Sequence, residues 1–387
     1  MPLASPIDPV ALTRDLIRRP SVTPIDAGAM DVVQGALEQL GFGCRRLRFG
    51  EIENLYARRG TARPNFCFAG HTDVVPVGDS AAWTHDPFGA QIEDDVIHGR
   101  GAADMKSAIA AFIAAVSRTL QAEEPAGSIS LLITGDEEGV AEDGTKAVVR
   151  QLATEGEEID HCVVGEPTSS AVFGDMIKIG RRGSINAEIT VEGVQGHVAY
   201  PQRAANPTPV LIRFLSAVQA RRLDDGYEGF QPSNLEVTTI DVGNPAANLI
   251  PARAAARLNI RFNPAHTGAG LADWLLSEAA RAGDGFAGKV TLTPKISGEA
   301  FLTAPGAFTA MVSGAARAVT GIDPDASTTG GTSDARFIRA LCPVVELGLV
   351  GATMHQVNER APVADILKLT AVYERLITDY FASPPSG

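Results

Sequence analysis

Residues 131–139 read Leu-Leu-Ile-Thr-Gly-Asp-Glu-Glu-Gly. An apolar run from Ile129 to Ile133 stops at Thr134, Gly135 breaks it, and three carboxylates follow, Asp136, Glu137 and Glu138. A short apolar run bounded by a glycine reads as a buried strand. Acids crowded at the end of such a strand repel one another unless something positive sits among them. A solvated acidic turn is the ordinary account of a lone Asp-Glu-Glu, because carboxylates are rarely buried unpaired. The rest of the chain decides between that account and a bound cation.

Other apolar stretches end in similar fashion. Asn65 to Ala69 runs into Gly70-His71-Thr72-Asp73, and His161 to Gly165 runs into Glu166-Pro167-Thr168. Val344 to Leu349 leads through a loop to Met354-His355-Gln356-Val357-Asn358-Glu359. Met105 to Leu120 has the pattern of a buried helix, and Asp104 stands just before it. Helical spacing is also expected at about 8–19, 27–40, 144–154, 305–319 and 363–381. Strands alternating with helices predict an α/β fold with a mixed, largely parallel sheet flanked by helices. Loops at the carboxyl ends of parallel strands converge on one crevice. His71, Asp104, Glu138, Glu166 and His355 are therefore expected to meet there.

Past Gly180-Arg181-Arg182-Gly183 the pattern changes. Residues 184–193 alternate as an antiparallel strand does, with Ile185, Ala187, Ile189 and Val191 on one face. Helices at about 207–222 and 268–282, and strands at about 234–242, 253–262 and 288–294, complete a small α+β open-faced sandwich. The expected division is one larger domain over 1–181 and 298–387, with 182–297 inserted into it. Glycines 180 and 183 suit a hinge.

Composition narrows the function. The 387 residues exceed one ordinary core. A formal net charge of −13 argues against a nucleic-acid or membrane-surface partner, both of which need basic patches. Cys44, Cys67, Cys162 and Cys342 stand alone, without Cys-x-x-Cys pairs, which excludes a thiolate zinc finger and fits a reducing compartment. No basic region followed by an apolar core opens the sequence, and a cytoplasmic protein is expected.

Two imidazoles and three carboxylates suit zinc, which takes nitrogen and oxygen donors. If Asp104 bridges, each of two ions has two further protein ligands. Two divalent cations against three carboxylates and a shared hydroxide leave the centre neutral, which supplies the positive charge missing beside Glu137. Asp73 is placed to hold the His71 ring in one tautomer, as carboxylates behind metal-bound histidines do. His85, His98, His161 and His266 have no partner pattern and read as ordinary polar residues. Gly330-Gly331-Thr332 lacks the lysine of a phosphate-binding loop.

His71-Thr72-Asp73-Val74-Val75-Pro76, Gly99-Arg100-Gly101-Ala102-Ala103-Asp104-Met105-Lys106, Gly135-Asp136-Glu137-Glu138-Gly139 and Gly165-Glu166-Pro167-Thr168 resemble the motifs of the M20 family of di-zinc amidohydrolases and exopeptidases. Gly196-His197-Val198-Ala199-Tyr200-Pro201, Asn248-Leu249-Ile250-Pro251 and Gly330-Gly331-Thr332-Ser333-Asp334 narrow the resemblance to a member that hydrolyses the amide of a succinylated diamino acid. Other deacylases and dipeptidases of the family share the zinc ligands. The paired arginines and Gly-Gly-Thr-Ser argue against them.

The resemblance implies a zinc-exopeptidase-like catalytic domain and a homodimer formed through the inserted domain. It implies two zinc ions per subunit, with cobalt an alternative in the second site. His71, Asp104 and Glu166 would hold one ion, and Asp104, Glu138 and His355 the other. Glu137 would be the general base, and His197 would reach the partner subunit's oxyanion with Asn248 nearby. Arg181, Ser184, Tyr200, Gly331 and Thr332 would bind the substrate carboxylate. Asp94-Asp95 stands where Asp-Gly is common, and Ser107 where Gly is common. Asp136 has no role in this scheme.

Overall fold

A computed structural model describes residues 5–385. It divides into two compact units. The first comprises Met1–Ile179, Thr303–Ser327 and Ser333–Gly387; the second comprises Gly180–Leu302 and Thr328–Thr332. The division thus falls after Ile179 and Leu302 rather than after 181 and 297, and residues 328–332 go with the second unit. Backbone pairing and side-chain contacts account for both differences. Phe301 and Leu302 pair with Arg181 and Gly180. The Thr328 hydroxyl donates to Gly229 O at 2.6 Å, and Arg181 Nη1 donates to Thr329 O at 3.3 Å.

The first unit is built on an eight-stranded mixed sheet. Its order is Gly43–Phe49, Ile52–Arg59, Ser128–Thr134, Asn65–His71, His161–Val164, Val344–Glu346, Met176–Lys178, Asp325–Ser327. The four central strands, from Ser128–Thr134 to Val344–Glu346, are parallel to one another. They are short and buried along their whole length, as strands covered on both faces are. Helices Lys106–Ala122 and Val363–Ala382 pack in this core. Phe68 stacks on Phe112 of the first helix at 4.4 Å, and Tyr373 of the second meets both rings edge-on.

The two strands over 43–59 have no counterpart in the sequence reading. Gly43–Phe49 is an arginine-rich, half-exposed edge in which Arg45, Arg46 and Arg48 hide the alternation, whereas Ile52–Arg59 is paired on both sides and mostly buried. A short helix, Ala335–Ile338, follows Gly330–Asp334 with Asp334 at its N-cap position.

The second unit runs strand, helix, strand, strand, helix, strand. Its antiparallel sheet has the order Asn234–Asp241, Arg253–Phe262, Gly183–Glu192, Lys289–Gly298. Ile185, Ala187, Ile189 and Val191 all face one core with residues of helices Thr208–Ala220 and Gly268–Ala282. The opposite face is polar, as an open-faced sandwich requires. Among the described residues no helix is long and apolar enough to cross a membrane. Cys67, Cys162 and Cys342 are buried and all four cysteines are free.

Candidate active site

Register fixes the site. His71 pairs with Thr134, and Ala69 with Val164, so adjacent parallel strands end level with one another. Their carboxyl ends deliver His71, then Glu137 and Glu138, then Glu166. Gly70 and Gly165 immediately precede two of these side chains. A Cβ at either would lie 2.6 or 2.7 Å from Met105 Cε. The two glycines therefore make room for Met105, which follows Asp104. One fully buried methionine thereby packs behind His71, Glu166 and Asp104 together.

The five ligand-type side chains meet. Asp104 presents Oδ1 to His71 Nε2 at 3.3 Å and Oδ2 to His355 Nε2 at 3.4 Å. His71 Nε2 lies 3.8 Å from Glu166 Oε1, and His355 Nε2 lies 2.8 Å from Glu138 Oε1. His355 takes a left-handed backbone, φ 61°. A non-glycine residue is strained there, and the strain aims this half-exposed ring at the buried acids.

Asp73 acts differently from expectation. Its backbone carbonyl, not its carboxylate, meets His71 Nδ1 at 2.9 Å. The nearer carboxylate oxygen is 3.5 Å away. That carbonyl calls for a proton on Nδ1, which leaves Nε2 as the position a metal would take in place of a proton. The Asp73 carboxylate instead accepts the amides of Glu137 at 3.3 Å and Glu138 at 3.0 Å. It fixes the turn that presents both acids. Asp136 also has a role, accepting the amides of Val140, Glu142 and Asp143 to close the following loop.

Behind Asp104 stands a buried pair that spacing along the chain does not reveal. Arg100 Nη1 donates to Glu359 Oε2 at 2.7 Å. Glu359 Oε1 accepts the amides of Ala103 and Asp104 at 2.9 and 3.1 Å. Arg100 also donates to Pro76 O and Gln356 O. Three loops are thus tied at one guanidinium. Ser107 donates to Ala102 O at 2.6 Å, a bond that glycine would lack. Arg336 Nη1 lies 3.8 Å from Glu137 Oε1. Asp334 accepts from the Thr134 and Thr145 hydroxyls beside it. Nothing in the sequence singles out Arg336, because its pairing with Glu137 bridges segments remote in the chain.

Electrostatics report a deficit of positive charge. Burial pushes Glu137 well above the usual carboxylate range, and burial with Asp104 and Glu137 does the same to Glu166. Burial would drive the proton off His71, yet Asp104, Asp73 and Glu137 together raise it well above its ordinary value. Hydrogen bonds to Asp104 and Glu138 push His355 up to about 10. Burial would raise Asp104 too, but the two histidines hold it low. The cluster draws in protons wherever it can, and cations would displace them.

The residues fit a metal centre. His71 Nε2, Asp104 Oδ1 and Glu166 Oε1 are all buried without a hydrogen-bond partner, despite their proximity. Such orphans are rare in a native interior and call for an unseen partner. Donor atoms of His71, Asp104 and Glu138 lie within 4.8 Å of one another, as do those of His71, Glu137 and Glu166. Nitrogen and carboxylate donors are those zinc takes.

The remaining candidates lie in the second unit. Buried Arg181 holds the Thr329 carbonyl, next to Gly331 and Thr332. Buried Ser184 accepts from Asn259 Nδ2 at 3.2 Å. His197 pairs with Leu249, and Val198 N donates to Asn248 O at 3.1 Å, which sets His197 and Asn248 side by side. Tyr200 is exposed, its ring 5.8 Å from that of His197.

Comparison with known proteins agrees with this architecture. The sequence profile of peptidase family M20/M25/M40 matches residues 67–379. The chain is 69% identical over 380 residues to a succinyl-diaminopimelate desuccinylase of Phenylobacterium zucineum, covering 98% of this chain and 100% of that one. It is 61% identical over 379 residues to one of Maricaulis maris, covering 98% and 97%. Among solved structures, an M20 family metallo-carboxypeptidase from Sulfolobus solfataricus has a TM-score of 0.80 at 18% identity, covering 97% of this chain and all of that one. A dinuclear metal-binding M20 peptidase from Bacillus subtilis has a TM-score of 0.71 at 15% identity, covering 97% and 98%. On the profile match and the full-length relatives, the chain belongs to peptidase family M20/M25/M40.

Proposed function

We propose that the protein hydrolyses the amide of N-succinyl-LL-2,6-diaminopimelate to succinate and LL-2,6-diaminopimelate, using two zinc ions. The observation that carries the metal centre is Asp104, whose two oxygens face two different histidines as a bridging carboxylate's would. The substrate follows from the full-length relatives that bear the desuccinylase name. His71, Asp104 and Glu166 would hold one ion, and Asp104, Glu138 and His355 the other, with cobalt the alternative in the second position. Metal bound by these residues would supply Lewis acidity for water and for the amide carbonyl.

The chain's own residues do the rest. Glu137 takes a proton from the attacking water and delivers it to the leaving amine. Asp73 holds the Glu137 and Glu138 amides, so that one acid faces water and the other metal. Arg181 offers a planar fork to the succinyl carboxylate, with Ser184, Tyr200, Gly331 and Thr332 alongside. His197 and Asn248 of one subunit stabilise the oxyanion in the other, which makes the active form a homodimer joined through the second unit. We place it in the cytoplasm.

The test is release of succinate from N-succinyl-LL-2,6-diaminopimelate, measured beside acetylornithine and dipeptides. Turnover of the succinyl compound well above the others is expected. Preference for acetylornithine or a dipeptide would replace this substrate with another of the same family.

A further inference from the structure

We propose that His85, Glu93 and His98 form a separate site for one divalent transition ion of the zinc class. By spacing along the chain both histidines read as ordinary polar residues. The fold sets them face to face, with ring centroids 4.4 Å apart. His85 Nε2 lies 3.1 Å from Glu93 Oε2, and one donor atom from each of the three residues falls within 4.8 Å of the others. Tetrahedral zinc with bonds of about 2.0–2.2 Å needs donors roughly 3.3–3.6 Å apart. The His85–Glu93 edge is already near that length, and small side-chain rotations close the rest.

A second observation points to a missing partner. His98 Nδ1 is buried and makes no hydrogen bond. Buried ring nitrogens are normally satisfied, so this one is an unused donor or acceptor beside two other ligand-type groups. Burial, His85 and Arg360 all lower the proton affinity of His98. The net shift, against a raising contribution from Glu93, favours the neutral ring, the form that binds metal.

The scaffold holds the three groups in place without any ion. Strands Gln91–Glu93 and Val96–His98 form a hairpin in which Gln91 pairs with His98. Residues two apart on a strand share a face, so Glu93 and His98 lie diagonally on one side. Asp94 and Asp95 both take left-handed backbones, φ 49° and 59°, as a two-residue hairpin turn requires. The loop bearing His85 is pinned by Thr84 N donating to Asn358 Oδ1 at 2.7 Å and by Trp83 Nε1 donating to Val77 O at 2.9 Å. Two nitrogens and one carboxylate favour zinc, nickel or copper over magnesium and calcium, which prefer oxygen alone. Arg360 pairs with His98 in the neighbouring strand and opposes a cation. The site is accordingly weaker than the centre at Asp104. His98 directly precedes Gly99 and Arg100, so an ion here fastens the segment that leads to Asp104.

The experiment strips the protein with a chelator, titrates it with zinc and counts bound zinc per chain by elemental mass spectrometry after gel filtration. Wild-type protein should bind one equivalent more than Glu93→Gln and His98→Phe, with turnover of each variant at saturating zinc within about twofold of wild type. The readout is the difference between proteins, so it holds whatever the centre at Asp104 binds. Glu93 is exposed, and its variant folds even if His98→Phe does not. Equal stoichiometry in wild type and Glu93→Gln across the titration would overturn the proposal. So would retention of the extra equivalent in His98→Phe.

Discussion

Glu359→Gln isolates the buried charge pair that fixes Asp104. Arg100 and Glu359 have side chains 2% and 1% exposed and meet at 2.7 Å. The amide oxygen of glutamine can still accept the Ala103 and Asp104 amides, so the change removes charge with little change of shape. It leaves the Arg100 guanidinium buried without its counter-ion. Breaking such a pair costs about 3–5 kcal/mol. At about 2–4 °C per kcal/mol, the melting temperature of the metal-free protein should fall by about 6–20 °C. Weaker anchoring of Asp104 should lower zinc affinity by ~10–100-fold. A matched control is Glu155→Gln, which opens the Arg45–Glu155 pair at 2.8 Å on the surface, with side chains 45% and 34% exposed. Solvent screens that pair, and its loss should leave the melting temperature nearly unchanged. Calorimetric melting of the metal-free proteins and zinc titration by competition with a chelating dye measure both effects. A Glu359→Gln protein that melts and binds zinc like the Glu155→Gln control would refute the claim that Glu359 holds Asp104.

Glu137→Gln should keep its zinc and lose turnover by ~10²–10⁴-fold, measured as succinate release beside metal content; a near-normal rate would remove Glu137 as the proton carrier. Inactive His197→Ala and Glu137→Gln proteins, mixed under conditions of subunit exchange, should recover activity, because one mixed site is intact; exchange without recovery contradicts a role for His197 across the dimer. Asp224, in the second unit, is burdened by burial, yet hydrogen bonds from Ser233, Gly226 and Asn263 lower its pKa to about 2. A depressed folded-state pKa stabilises the fold above the unfolded value near 3.8 and loses that contribution as pH falls towards 2. Asp224→Asn should therefore destabilise the protein at pH 6 and converge with wild type near pH 2, as read by urea unfolding across that range.

The ligand-type residues were legible because each sits at a boundary that sequence marks. His71, Glu138 and Glu166 follow apolar runs, and Asp104 precedes an apolar helix. A parallel sheet turns those boundaries into one place. What sequence does not mark is contact made by the backbone or across long separations. The use of the Asp73 carboxylate on two amides depends on where the 135–139 turn passes. The Arg100–Glu359 pair spans 259 positions. Met105 reads as one more core residue until Gly70 and Gly165 are seen to be hollow against it. The edge strand Gly43–Phe49 is hidden by its arginines, because a half-exposed strand need not be apolar on either face.

If Asp104 serves two metal ions at once, amide hydrolysis depends on both, and succinate release followed while zinc is returned to chelator-stripped protein measures that dependence. No release is expected without metal, with full turnover regained as two equivalents are bound at the Asp104 centre and no further gain beyond them. Turnover that persists in protein freed of metal, or that is not regained on adding zinc or cobalt, would contradict it.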